Sequence, residues 1–185
     1  IAMMLLKRER ICFTILLGSV IGSVSLQWLP IICSFFLNFT KASHIAALVI
    51  MLIVAALVAW FTKGTPIINK NKFRFQPKQL LIDHPVLFLL VPLYIYVIYV
   101  LQTHTLPLVD GAMHTGQCTY GDMNMHLGFI TSIANQGTFP PEYSILPGTQ
   151  LAYPFLSDSI SSSVYVWGTS LTTSYLLPMY VALLQ

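Results

Sequence analysis

Charge is what this chain has least of. Only 8% of its 185 residues are Asp, Glu, Lys or Arg, against 56% hydrophobic, where an ordinary soluble domain carries about 25% charged residues. So little charge cannot cover a water-facing surface. That excludes an ordinary soluble globular domain and makes lipid the better solvent. Lysine and arginine are missing altogether after Lys78. The bases that remain are short clusters beside apolar runs and not a broad face, which excludes a nucleic-acid partner. Cysteine is scarce too. Cys12, Cys33 and Cys118 show no CxxC spacing, so neither a disulfide framework nor a closed zinc motif follows. No small-residue cleavage site follows Lys7, Arg8 and Arg10 at a fitting distance, so the first apolar run reads as a retained span and not as a signal peptide.

What stands in place of charge is a set of apolar runs. A spanning helix needs about 20 mostly apolar residues. The first run covers 11–39 and contains Pro30; the second covers 44–61, between Lys41 and Lys63; the third covers 85–101 and carries Tyr94, Tyr96 and Tyr99 toward its end. A fourth, 160–184, is rich in Ser and Thr and is interrupted by Pro178. The expected fold is an all-α membrane protein, a polytopic helical bundle with about four spanning helices.

The positive-inside rule orients it. Lys7, Arg8 and Arg10 place the N-terminus in the cytoplasm, and the five bases of 63–78 place that loop on the same side. Residues 1–101 are thus three transmembrane helices with a basic cytoplasmic loop, and 102–159 form an extracytoplasmic loop. Asp110, Asp122, Glu142 and Asp158 all fall in the base-free part. The chain stops inside an apolar run, so it reads as a piece of a larger membrane protein, with 160–185 the start of a fourth transmembrane helix.

Within the outer loop the pattern predicts a short helix over 122–136. Met123, Leu127, Ile130, Ile133 and Ala134 form one apolar stripe at helical spacing, which suits a helix lying in the membrane interface. Gly137 caps its end. Phe139-Pro140-Pro141-Glu142 then sets an extended connection, and Pro147-Gly148 marks a turn. Asp122 and His126 stand four apart and share one helix face. A carboxylate beside an imidazole can deprotonate a hydroxyl or hold a divalent metal; the plainer alternative is an N-cap and an interfacial ring. His114, Cys118, Asp122 and His126 recur every four residues, but Gly111, Gly116 and Gly121 interrupt a continuous helix. Glu142, after two prolines, is placed to meet a metal or a sugar hydroxyl, or simply water. Tyr153 and Trp167 can stack on a sugar ring or mark the membrane boundary. Asp158 either caps the fourth run or shares a cavity with Asp122. Asn38-Phe39-Thr40 fits the glycosylation pattern but abuts the membrane. The serines of 157–163 favour close helix packing.

Three strings of the outer segment, Gly121-Asp122-Met123-Asn124-Met125-His126-Leu127, then NQGTFPPE from Asn135 to Glu142, then Gly148-Thr149-Gln150-Leu151-Ala152-Tyr153 running on to Asp158, carry a resemblance. Over 120–163 the chain resembles the first large outer loop of bacterial polytopic membrane proteins related to the GT-C glycosyltransferases. The resemblance implies transfer of a sugar from a polyprenyl-phosphate donor to a glycan or protein acceptor on the outer face. It implies Asp122 as the acid needed for activity, accepting the acceptor's proton, with His126 orienting it or touching the donor phosphate. Glu142, Tyr153 and Asp158 would hold the sugar, with room for a divalent metal ion. The family's second acid near the first is absent; Met123-Asn124 stand there. A departing phosphate needs positive charge, which falls to a metal, to histidine, or to chain beyond this stretch.

Two other classes compete. A lipid-linked glycan transporter or flippase would place ionisable groups inside its spans, and runs one to three carry no charged residue. A non-enzymatic membrane subunit would use the outer loop to pack on a partner.

The orientation is testable by cysteine labelling with Cys118 replaced by Ser. Ser144→Cys reacts in intact cells with a membrane-impermeant maleimide, and Asn71→Cys reacts only after permeabilisation. Labelling of both in intact cells overturns the topology.

Overall fold

The computed structural model describes residues 11–62, 82, 85–115 and 120–185. The basic loop 63–78, the Lys7 to Arg10 cluster and Cys118 lie outside the described residues. The elements in chain order are α1 (Ile11–Leu37), α2 (Lys41–Phe61), α3 (Leu87–Val100), a π-helical turn (Leu101–Thr105), a small hairpin β1 (Leu108–Val109) and β2 (Ala112–Met113), α4 (Tyr120–Gln136), α5 (Leu156–Val166) and α6 (Leu171–Leu183). Three helices are long and apolar enough to cross a membrane: Phe13–Leu37, Lys41–Phe61 and Leu87–Thr105. Their large apolar side chains, Phe36, Leu52 and Leu89 among them, are exposed, as lipid-facing residues must be.

α1 and α2 form an antiparallel hairpin because only three residues join them. Asn38 takes a left-handed backbone, φ 55°, which asparagine tolerates better than most residues. Thr40 begins α2, and its backbone N–H donates to Ser43 Oγ at 3.3 Å, one half of a capping box. Ser34 and Ser43 are fully buried, and their hydroxyls meet across the hairpin at 3.3 Å. Phe39 therefore sits at the turn and points into protein, 1% exposed.

α4 and α5 pack on this end of the hairpin. Ile31 and Phe39 from the hairpin, Phe129 and Ile133 from α4, and Leu151 from the loop form one core cluster. The expected interfacial helix is thus corrected. Met123, Ile130 and Ile133 of the predicted stripe are buried in protein and not laid on lipid, because Phe129 extends the apolar face toward Phe39. Gly137 ends α4 with φ 63°, as its position predicts. Gln136 then clips the loop: its Oε1 accepts the Glu142 N–H at 2.7 Å and its Nε2 donates to the Glu142 carbonyl at 2.9 Å.

The fourth apolar run is two helices and not one. Gly168, φ 89°, follows the end of α5, and Ser170 caps α6 by accepting the Thr173 N–H. A left-handed glycine and a capping serine stop one helix and start the next. Pro178, where an interruption was expected, lies inside α6. Two contacts show how α6 runs. Near its start, Lys41 Nζ stands 5.8 Å from the centre of the Trp167 ring. Just beyond its end, Gln185 Nε2 donates to Ser23 Oγ at 2.6 Å. α6 therefore returns alongside α1 from the hairpin's turn to a level fourteen residues, about 21 Å, down that helix. Between these helices α5 is the spacer, and it is built from serine: Ser159 and Ser162 are 1% and 0% exposed. Their hydroxyls donate back to the helix, Ser162 Oγ to the Asp158 carbonyl at 2.8 Å and Ser159 Oγ to the Leu156 carbonyl at 2.6 Å, so small size is obtained without an unsatisfied donor.

Ser162→Leu forces a large side chain into this seam and should lower stability by about 1–3 kcal/mol, whereas Ser162→Ala should shift it by less than about 1 kcal/mol. Thermal unfolding of the purified protein in lipid nanodiscs checks both; a neutral Ser162→Leu overturns the close-packed seam.

Candidate functional site

Asp158 lies in the first turn of α5 and is 5% exposed. A carboxylate so placed needs a partner. It has one in His126 of α4, whose Nδ1 sits 2.9 Å from Oδ2 and 3.1 Å from Oδ1. Burial raises the Asp158 carboxyl above its ordinary value, and the hydrogen bond and charge of His126 offset part of the rise. The carboxylate accepts, so Nδ1 carries the proton. In the neutral ring Nε2 is then a free lone pair.

The imidazole is held on its flanks as well. Its ring stands edge-on to Phe129 at 6.2 Å and to Tyr153 at 6.0 Å between centroids, and Phe129 and Tyr153 are themselves 5.4 Å apart. α4 supplies His126 and Phe129 one turn apart, α5 supplies Asp158, and the loop supplies Tyr153.

His126 and Asp158 line a cavity of about 720 Å³ between α1, α2, α5 and α6. Its walls are largely apolar, with Val20, Val24, Leu48, Val164, Leu177 and Val181 among them. Polar groups also line it: Gln27, whose Nε2 donates to the Leu156 carbonyl at 2.7 Å, and His44. Volume and lining match the range of about 300–1,000 Å³, mostly apolar with a few placed polar groups, that small-ligand sites occupy.

The structure brings together three of the five sequence-derived candidates: His126, Asp158 and Tyr153. Asp122 is exposed in the first turn of α4, one turn before His126, and does not line the cavity. Glu142 is engaged in the loop itself, where Oε2 accepts the Gly148 N–H at 3.2 Å. Trp167 lines the cavity and has Lys41 Nζ over its ring. The sequence pairs His126 with Asp122 by local spacing; its partner in space comes from 32 residues further on. Among the described residues no three His, Cys, Asp or Glu side chains converge, and both Asp158 oxygens face one imidazole. The residues described do not fit a divalent metal. His44 escapes sequence reasoning, its one signal being a lone imidazole at the head of an uncharged run.

Comparisons with family models, characterised proteins and solved structures return no match.

His126→Phe leaves a buried carboxylate without its partner and should cost about 2–3 kcal/mol. His126→Phe with Asp158→Leu removes both polar groups and should recover most of that loss. Unfolding of the single and double variants decides it; equal destabilisation in both overturns the pairing.

Proposed function

We propose that the chain belongs to a GT-C-like glycosyltransferase that moves a sugar from a polyprenyl-phosphate donor to an acceptor hydroxyl on the outer face of the membrane. The observation that carries this reading is the His126–Asp158 pair at a largely apolar cavity between α1, α2, α5 and α6, of which α1 and α2 are long and apolar enough to cross a membrane. Such a site presents a proton acceptor beside a slot for a lipid chain, which is what transfer from a lipid-borne sugar requires.

On this reading the base is His126 and not Asp122, because His126 lines the cavity and Asp122 does not. As the acceptor oxygen bonds to the anomeric carbon, its proton goes to His126 Nε2. The bond from that carbon to the phosphate oxygen breaks, and polyprenyl phosphate leaves with the electron pair. Asp158 is a positioning residue: it fixes the ring and its tautomer and stabilises the imidazolium as it forms. Tyr153, on the ring's flank, offers an aromatic face to the sugar. Asp122 stands one turn away on the same helix face, where it can meet the acceptor outside the cavity.

Transfer of labelled sugar from a polyprenyl-phosphate donor, measured with the protein in nanodiscs, tests the assignment. Asp158→Asn and His126→Ala should each lower kcat by about 10²–10⁴-fold with a small change in KM for the donor. Undiminished transfer in either variant sinks the base assignment, and loss confined to Asp122→Asn would return that role to Asp122.

A further inference from the structure

A second histidine on the cavity is not used by that mechanism. His44, in the first turn of α2, is 4% exposed and lines the cavity that His126 and Asp158 line. Its Nδ1 lies 2.6 Å from the Thr40 carbonyl oxygen. A carbonyl only accepts, so the proton sits on Nδ1 and the neutral ring leaves Nε2 an acceptor. That Nε2 is buried and has no hydrogen-bond partner among the described residues. The ring is held in place: the Phe39 ring stands edge-on to it at 4.9 Å between centroids, and Ser43 Oγ is 3.3 Å from Nδ1. Buried side-chain acceptors in folded proteins are nearly always paired. An orphan lone pair on a rigid ring at the wall of a cavity is half of a hydrogen bond, and an occupant of that cavity is a source for the missing donor.

We infer that His44 Nε2 is a ligand-binding group that accepts a hydroxyl proton from the head of an amphiphile whose chain lies along the apolar walls. A bare lone pair selects a donor. It favours the hydroxyls of a sugar and gives nothing to a head that only accepts. Chain and head are placed by the same helices. Val20 and Val24 line the cavity deeper along α1 and Val181 lines it near the far end of α6, where the polar Ser23 and Gln185 are spent on each other at 2.6 Å; Gln27, His44, His126 and Asp158 line it nearer the hairpin's turn. This deepens the function proposed above and rests on it for the sugar: His44 reads a hydroxyl of the lipid-borne sugar while His126 acts on the acceptor. It makes His44 a specificity-determining residue and not a catalytic one.

The test is binding, and needs neither polyprenyl phosphate nor transfer. The purified chain in nanodiscs is photolabelled with an alkyl glucoside carrying a diazirine on its chain, and the labelled peptides are mapped by mass spectrometry. Labels are expected in the cavity walls of α1 and α6, competed away by octyl glucoside and not by its tetra-O-methyl ether, which keeps every acceptor and has no hydroxyl proton. His44→Phe should cut labelling by about 10-fold, and His44→Gln, which restores an acceptor, should recover most of it. Equal competition by the ether, or full labelling of His44→Phe, overturns the inference and leaves the nitrogen as a site for water only. Should His44→Phe fail to fold, the glucoside-against-ether comparison on the unaltered chain decides alone. A chain that labels as expected but transfers no sugar keeps this inference and rejects the transferase reading.

Discussion

Beyond Lys78 the chain has neither lysine nor arginine, so a carboxylate buried there can be neutralised within that part only by histidine. That constraint shapes this part of the structure. Asp158 is buried between α4, α5 and the α1–α2 hairpin, and leaving its charge unpaired would cost several kcal/mol. His126 is the group that meets it. Because the two sit on different helices, satisfying the carboxylate fixes the rotation of α4 against α5. That rotation in turn sends Phe129 and Ile133 into the cluster with Phe39 and Ile31. The polar pair and the apolar cluster are two consequences of one helix orientation, and each would be misplaced without the other.

Close approach makes this possible. α5 must fit between α1, α4 and α6, and it does so with hydroxyls instead of branched side chains. Serine is a modest helix former in water, yet here Ser159 and Ser162 spend their hydroxyls on carbonyls of their own helix and present almost no bulk. The same device holds the hairpin, where Ser34 and Ser43 meet. Dispersion between closely packed backbones, and not burial of large side chains, carries these seams. It also explains why the sparse core contains only a handful of large apolar residues while so many others face outward.

Much of this was legible in the sequence, for reasons that differ by element. The three long helices follow from apolar runs bounded by charge, a signal that needs no knowledge of partners. α4 follows from a 3.6-residue stripe and from Gly137, whose left-handed backbone is a local property. The failures are all tertiary. The stripe of α4 is equally suited to lipid and to protein, and only the position of Phe39 decides between them. The break at Gly168 was hidden because Pro178 is the stronger breaker on paper, yet a proline in the middle of α6 is absorbed and a glycine with a capping serine two residues later is not. Asp122 and His126 share a helix face, so spacing pairs them; the competing partner, Asp158, is brought in by a loop whose path Gln136 and Glu142 set.

The two histidines of the cavity show how one side chain can be given different tasks by what holds its far nitrogen. Both have Nδ1 tied back, which fixes the tautomer and leaves Nε2 to the other side. His126 is tied to a carboxylate, which stabilises the ring once it takes a proton, so it is fitted to accept a proton outright. His44 is tied to a neutral carbonyl in an apolar wall, where a full positive charge gains no compensating partner. It is fitted to share a proton and not to keep it. The proposed transfer, in which one hydroxyl is held and another deprotonated, needs this distinction, since two equally basic groups would compete for the same proton. Among the described residues the cavity lining contains no lysine or arginine; the distinction rests on which oxygen stands behind each ring.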